Sequence, residues 1–112
     1  FDPVLLKNEI NGLDATAQKT VGKVENAWQT LSKELAHFVQ KEVVKSTSAQ
    51  DRGIKRGLIQ VLLGFQGPAA LIEVGYLSDK RERALLCSDE YQERVAEGIC
   101  EGIKMFMEKH FA

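Results

Sequence analysis

The sequence predicts an α/β domain built from a long amphipathic helix, two short apolar strands and a closing helix. Three observations predict it. Ala17, Val21, Val24, Trp28, Leu31, Leu35 and Phe38 recur at spacings of 4, 3, 4, 3, 4 and 3, a helical seam close to a heptad. Residues 58–63 and 69–74 are short apolar runs bounded by glycine, proline and polar residues, the pattern of buried strands. Beyond them, Ser78 and Ser88 each precede acidic residues and then a helical stretch, which is how helices begin.

Composition frames these elements. The 112 residues leave room for one domain with a modest core. A net charge of −1 carries no basic footprint for nucleic acid or an anionic membrane. No apolar run is long enough to span a bilayer. The chain opens on Phe1, with neither Met nor signal peptide, which suits a start after a processing boundary and leaves the parent protein's destination open. If residues 89 to 110 form one helix, Cys87 and Cys100 stand roughly 20 Å apart at about 1.5 Å per residue, beyond disulfide reach. Both are expected to be small buried apolar side chains, without the spacing of a metal pair.

Residues 1–14 read as irregular, with Pro3 and an Asn11-Gly12 turn, and Asp14 is placed to cap the first helix. Gly22 weakens that helix by about 1 kcal/mol relative to Ala, so two pieces meeting near Gly22 are the alternative to one rod. Its apolar seam is expected to pack on the sheet of its own domain. Ser46-Thr47-Ser48-Ala49-Gln50 ends it. Arg52, Lys55 and Arg56 follow as a small basic cluster, expected to pair with acids on neighbouring helices. The linker Gly64-Phe65-Gln66-Gly67-Pro68 between the strands has room for a hairpin. A short helix is then expected over Asp79 to Leu86. Ser88, Asp89 and Glu90 open the closing helix, whose apolar face is Val95, Ile99, Ile103 and Phe106. Gly98 and Gly102 beside that stripe would let it approach a sheet closely.

Glu73 stands out because it lies among Leu71, Ile72 and Val74. An isolated buried carboxylate costs several kcal/mol or shifts its pKa upward, so such a group usually has a partner or a task. Gly75 breaks the strand just beyond it, at the edge where open α/β sheets bind ligands. The histidines carry less. His37 lies three residues after Glu34, not in the His-to-His spacing of a zincin helix. His110 sits in the last helical turn, where a cation suits the helix dipole.

The run Pro68-Ala69-Ala70-Leu71-Ile72-Glu73-Val74-Gly75-Tyr76-Leu77-Ser78-Asp79 resembles the signature of the zinc-dependent N-acetylmuramoyl-L-alanine amidases, in which a catalytic Glu lies in a P-x-x-L-[VI]-E-x-G-[FY]-[LI]-S-[ND] context. Asp51-Arg52-Gly53-Ile54-Lys55 is similar to the family's D-R-G-[VI]-K segment. Ile59-Gln60-Val61-Leu62 falls at its penultimate strand, and Glu82, Leu85, Leu86, Tyr91, Ile99 and Ile103 fall at its acidic turn and closing helix. The likeness covers roughly residues 30 to 112. Tyr76 and Asp79 replace the commoner Phe and Asn, both mild changes.

The resemblance implies the C-terminal half of an amidase catalytic domain, with a largely parallel sheet flanked by helices and preceded by the long helix. It implies zinc as cofactor, held by a His in Gly-His-Gly-Gly, a Glu and a second His in His-x-[ND]. Those motifs precede the region seen here, so no metal ligand is assigned in this chain. They would come from an N-terminal half of the same domain or a companion chain. Glu73 is then the general base and acid that cleaves peptidoglycan between N-acetylmuramic acid and L-alanine, in the periplasm or extracellular cell envelope. For Arg52, Lys55 and Arg56 the alternative to pairing with helix acids is contact with the carboxylates of a stem peptide. Residues 1–29 would be the tail of a helical regulatory insert of the kind cell-division amidases carry. Such an insert offers an acid such as Glu9 or Glu25 to the metal until an activator protein displaces it. Two other classes stand beside this reading. One is a non-enzymatic binding or regulatory module of the same fold. The other is a helical interaction module that binds a partner helix through the 17-to-38 seam.

Overall fold

Local capping and helix propensity account for the regular elements of this chain. The computed structural model describes residues 15–111. It contains α1 (Ala15–Thr47), a single 3-10 turn (Gln60–Leu62), α2 (Lys80–Leu86) and α3 (Asp89–Phe111). The irregular reading of residues 1–14, with Glu9 and the cap Asp14, lies outside the described residues, as does the side chain of Glu25. Helix α1 runs unbroken through Gly22 for 33 residues, about 50 Å at 1.5 Å per residue. It stops in the polar run, as expected. Thr47 Oγ1 donates to Val43 O at 2.7 Å, and Ser48 turns to φ 57° while its N–H donates to Val44 O at 2.8 Å.

The expected sheet is not there. Among the described residues there is no strand, parallel or hairpin-paired, so the α/β class is corrected to a helical one. Residues 58–63 instead hold the 3-10 turn, closed by Leu62 N–H to Ile59 O at 3.0 Å. Residues 69–74 form no regular element, and Ala69 N–H donates to Ser32 Oγ at 2.9 Å. The expected burial is missing too, since Leu58 is 68% and Val61 73% exposed. The physical reason is that a helix satisfies its own backbone, whereas a strand needs a neighbour for every N–H and C=O. An apolar run announces a preference for burial but does not supply that neighbour.

The chain divides into two units, one holding residues up to Lys33 with Lys55–Leu71, the other Glu34–Ile54 with Ile72–Ala112. In the first, Arg56 donates to Gln29 Oε1. The second contains the buried positions Val39, Glu42 and Thr47 of α1 and Tyr91, Val95, Gly98, Gly102 and Phe106 of α3. The two glycines seat α3 against α1. A Cβ on Gly98 would stand 2.6 Å from Val43 Cα, and one on Gly102 2.5 Å from Val39 Cα. The close approach predicted for them is real, but its partner is a helix backbone and not a sheet. Val95 and Phe106 of the predicted stripe are buried, as expected, while the close seat of the two glycines leaves Ile103 44% exposed. At the far end Glu34 receives Lys109 and lies 2.7 Å from His110 Nε2, without an aligned hydrogen bond between them.

Candidate active site

Glu73 lies in the irregular segment that leads into α2, with its side chain exposed. Among the described residues it takes part in no hydrogen bond and no ion pair. This corrects the expectation of a carboxylate buried in a strand. The backbone just beyond Glu73 is tightly held. Gly75 adopts φ 154°, a conformation that L side chains rarely take, and a Cβ there would meet Leu86 Cδ1 at 3.2 Å. Tyr76 N–H donates to Glu82 Oε2 at 3.3 Å, and Tyr76 O accepts from Asp79 N–H at 3.2 Å. Leu77 O accepts from Arg83 Nη1 at 3.0 Å.

These contacts come from α2 and its N-cap. Asp79 is the N-cap and accepts from Glu82 N–H at 2.9 Å. In a capping box the third-position acid reaches back to the N-cap N–H. Here that N–H already serves Tyr76 O, and Glu82 turns to Tyr76 N–H and to Arg52 Nη1, 3.0 Å from Glu82 Oε1. Arg52 also covers the Tyr76 ring, with its guanidinium carbon 4.8 Å from the centroid. Arg52 is presented by a turn in which Asp51 Oδ1 accepts from Gly53 N–H at 2.8 Å and from Gln40 Nε2 at 2.9 Å. Those bonds, Gln40 first, hold the Asp51 carboxyl below the usual carboxylate range. Beside this segment, Val74, Leu86, Tyr91, Gln92, Val95, Ala96 and Ile99 line an almost wholly apolar cavity of about 170 Å³.

The other sequence candidates sort plainly. Arg52 meets an acid on a helix, as expected of the basic cluster, whereas Arg56 meets a glutamine. His37 is exposed, its ring 6.4 Å from that of Phe38. Cys87 and Cys100 are free thiols, both exposed, which corrects their expected burial. Sequence reasoning had Glu82 only as part of an acidic turn. The signal for its link to Tyr76 was the capping-box spacing Asp79-x-x-Glu82 next to the Gly75 break.

Residues 7–105 match the family profile described as N-acetylmuramoyl-L-alanine amidase. The chain belongs to this amidase family. Among its relatives, the Bacillus subtilis protein YrvJ, assigned by name to these amidases, is 43% identical over 75 residues, 67% of this chain and 14% of the relative. The germination-specific N-acetylmuramoyl-L-alanine amidase of Bacillus subtilis is 36% identical over 80 residues, 70% of this chain and 34% of the relative. The N-acetylmuramoyl-L-alanine amidase CwlM of Mycobacterium tuberculosis is 28% identical over 83 residues, 74% of this chain and 20% of the relative. This amidase chain thus spans no more than about a third of any of these three relatives. No solved structure matches it.

The described residues of the amidase chain do not by themselves fit the zinc ion that the family implies. No three His, Cys, Asp or Glu side chains among them come together as a metal-holding group. Glu73 stands alone, and His110 is engaged with Glu34. None of the described helices is long and apolar enough to cross a membrane.

Proposed function

We propose that the protein carrying this chain hydrolyses the amide between N-acetylmuramic acid and L-alanine in peptidoglycan, with Glu73 as the proton-transfer group. The observation that carries the reading is the family match over residues 7–105, which takes in the whole Glu73 segment. The exposed carboxylate, without a hydrogen bond or ion pair among the described residues and followed by a pinned turn, supports it. Hydrolysis adds water across the amide. The water oxygen bonds to the carbonyl carbon, the C–N bond breaks, and one proton must travel from the water to the departing amine. Glu73 accepts that proton and returns it, serving as base and then as acid. On this reading the zinc ligands come from polypeptide other than the described residues, and the site of action is the cell envelope. Residues 30–112 belong to the catalytic part, and residues 1–29 lead into it.

The test is Glu73→Gln in the protein at its full natural length. Turnover of peptidoglycan should fall by about 10² to 10⁴, the usual share of a general acid–base group, with zinc content unchanged. Wild-type turnover in that variant would sink the assignment and leave a binding module of the same family as the better reading.

A further inference from the structure

We infer that Glu82 and Arg52 are positioning residues for Glu73: together they hold the backbone at Tyr76, three residues beyond the carboxylate. The inference rests on the proposed role of Glu73. A proton-transfer group works only within tight geometric limits, and a displacement of about 1 Å can cost a hundredfold in rate. In this chain Glu73 is carried by a segment with no regular element, so no sheet bonds among the described residues set its place. Something else must. The N-cap and the body of α2 take up three backbone groups of this segment: Tyr76 N–H by Glu82, Tyr76 O by Asp79 N–H, and Leu77 O by Arg83. Between Glu73 and the held Tyr76 lie only Val74 and a Gly75 set at φ 154° against Leu86, so fixing Tyr76 limits the path the chain can take back to Glu73.

Glu82 is the hub. Its two oxygens serve different partners, Tyr76 N–H and Arg52, and Arg52 closes the ring by lying over the Tyr76 side chain. Arg52 is itself aimed by the Asp51–Gly53 turn, with Gly53 at φ 76°. An ordinary exposed ion pair adds little to stability and directs nothing. This one ends on a backbone N–H of the catalytic segment, and that bond needs an acceptor at position 82.

That requirement makes the inference testable against a merely structural salt bridge. In the zinc-loaded, full-length protein, Glu82→Ala should lower kcat about tenfold or more while KM stays within about twofold. Glu82→Gln, whose amide oxygen still accepts, should recover most of kcat. The charge swap Arg52→Glu with Glu82→Arg restores an ion pair but sets a donor against Tyr76 N–H, so it should not recover. Amide hydrogen exchange at Tyr76 should speed up in Glu82→Ala and in the swap, but not in Glu82→Gln. Recovery of kcat by the swap, or unchanged kcat and exchange in Glu82→Ala, would overturn the role. Should Glu82→Ala fail to fold, the swap and Glu82→Gln decide. Glu73→Gln, measured alongside, separates the two claims. If it keeps full turnover, the reading of Glu73 falls and the positioning role with it. If it is inactive while Glu82→Ala is fully active, the positioning role alone falls.

Discussion

Gly75 lies two residues after Glu73 at φ 154°, facing Leu86. Gly75→Ala imposes a strained conformation worth roughly 1–3 kcal/mol and crowds a leucine. It is expected to lower both the urea midpoint and turnover, with turnover affected more because the strain falls next to Glu73. Glu34 gives a second test at this scale. The hydrogen bond from Lys109, helped by the charges of Lys109 and His110, holds its carboxyl below the usual range against a smaller desolvation effect. A carboxyl depressed in the folded state stabilises above the ordinary carboxylate pKa and loses that contribution as pH falls through the lowered value. Glu34→Gln should therefore melt below wild type at pH 7, and the two melts should converge well below about pH 4. A difference in melting that persists unchanged at low pH would show that charge is not the cause.

The contact between α1 and α3 is made by backbone meeting backbone at Gly98 and Gly102. In an exposed helix, Gly→Ala stabilises by about 1 kcal/mol. Here the sign should reverse. The added methyl of Gly102→Ala would stand 2.5 Å from Val39 Cα and cannot be relieved by a side-chain rotation, so a loss of about 1–3 kcal/mol is expected in urea denaturation. The elements themselves were partly legible. The stop of α1 in the polar run and the Ser88 start, where Gln92 N–H donates to Ser88 O at 3.0 Å, are set by neighbours within four residues, whereas α2 is capped by Asp79 and not opened by Ser78, because the Asp79 carboxylate reaches Glu82 N–H. The two apolar runs were not legible as irregular chain, because residues 58–63 and 69–74 advertise apolarity without naming a partner.

Among the described residues, large apolar side chains remain open to solvent, with Ile72, Val74, Tyr76 and Leu77 exposed around Glu73 itself. Clusters of this kind mark interaction surfaces, and the chain covers no more than about a third of the three relatives compared above. A native mass spectrum of the full-length protein should show zinc bound together with this chain. Stripping the zinc with a chelator should stop turnover and leave most of the helical circular dichroism, since no metal-holding group lies among the described residues. Collapse of the helical signal on chelation would show that the metal also organises α1 and α3.

Sequence alone pointed to the helices, to where α1 stops and α3 starts, and to the family, because those rest on local periodicity and on an ordered motif; the same motif is what singles out Glu73 for the proposed role. Tertiary structure decided which helix face is buried, what the two glycines meet, and which charges find one another. With 15 basic and 16 acidic side chains, no pairing rule selects Arg52 for Glu82, 30 positions away, or Lys109 for Glu34. Charge attracts without regard to sequence distance, and only the folded backbone sets which opposite charges come within reach.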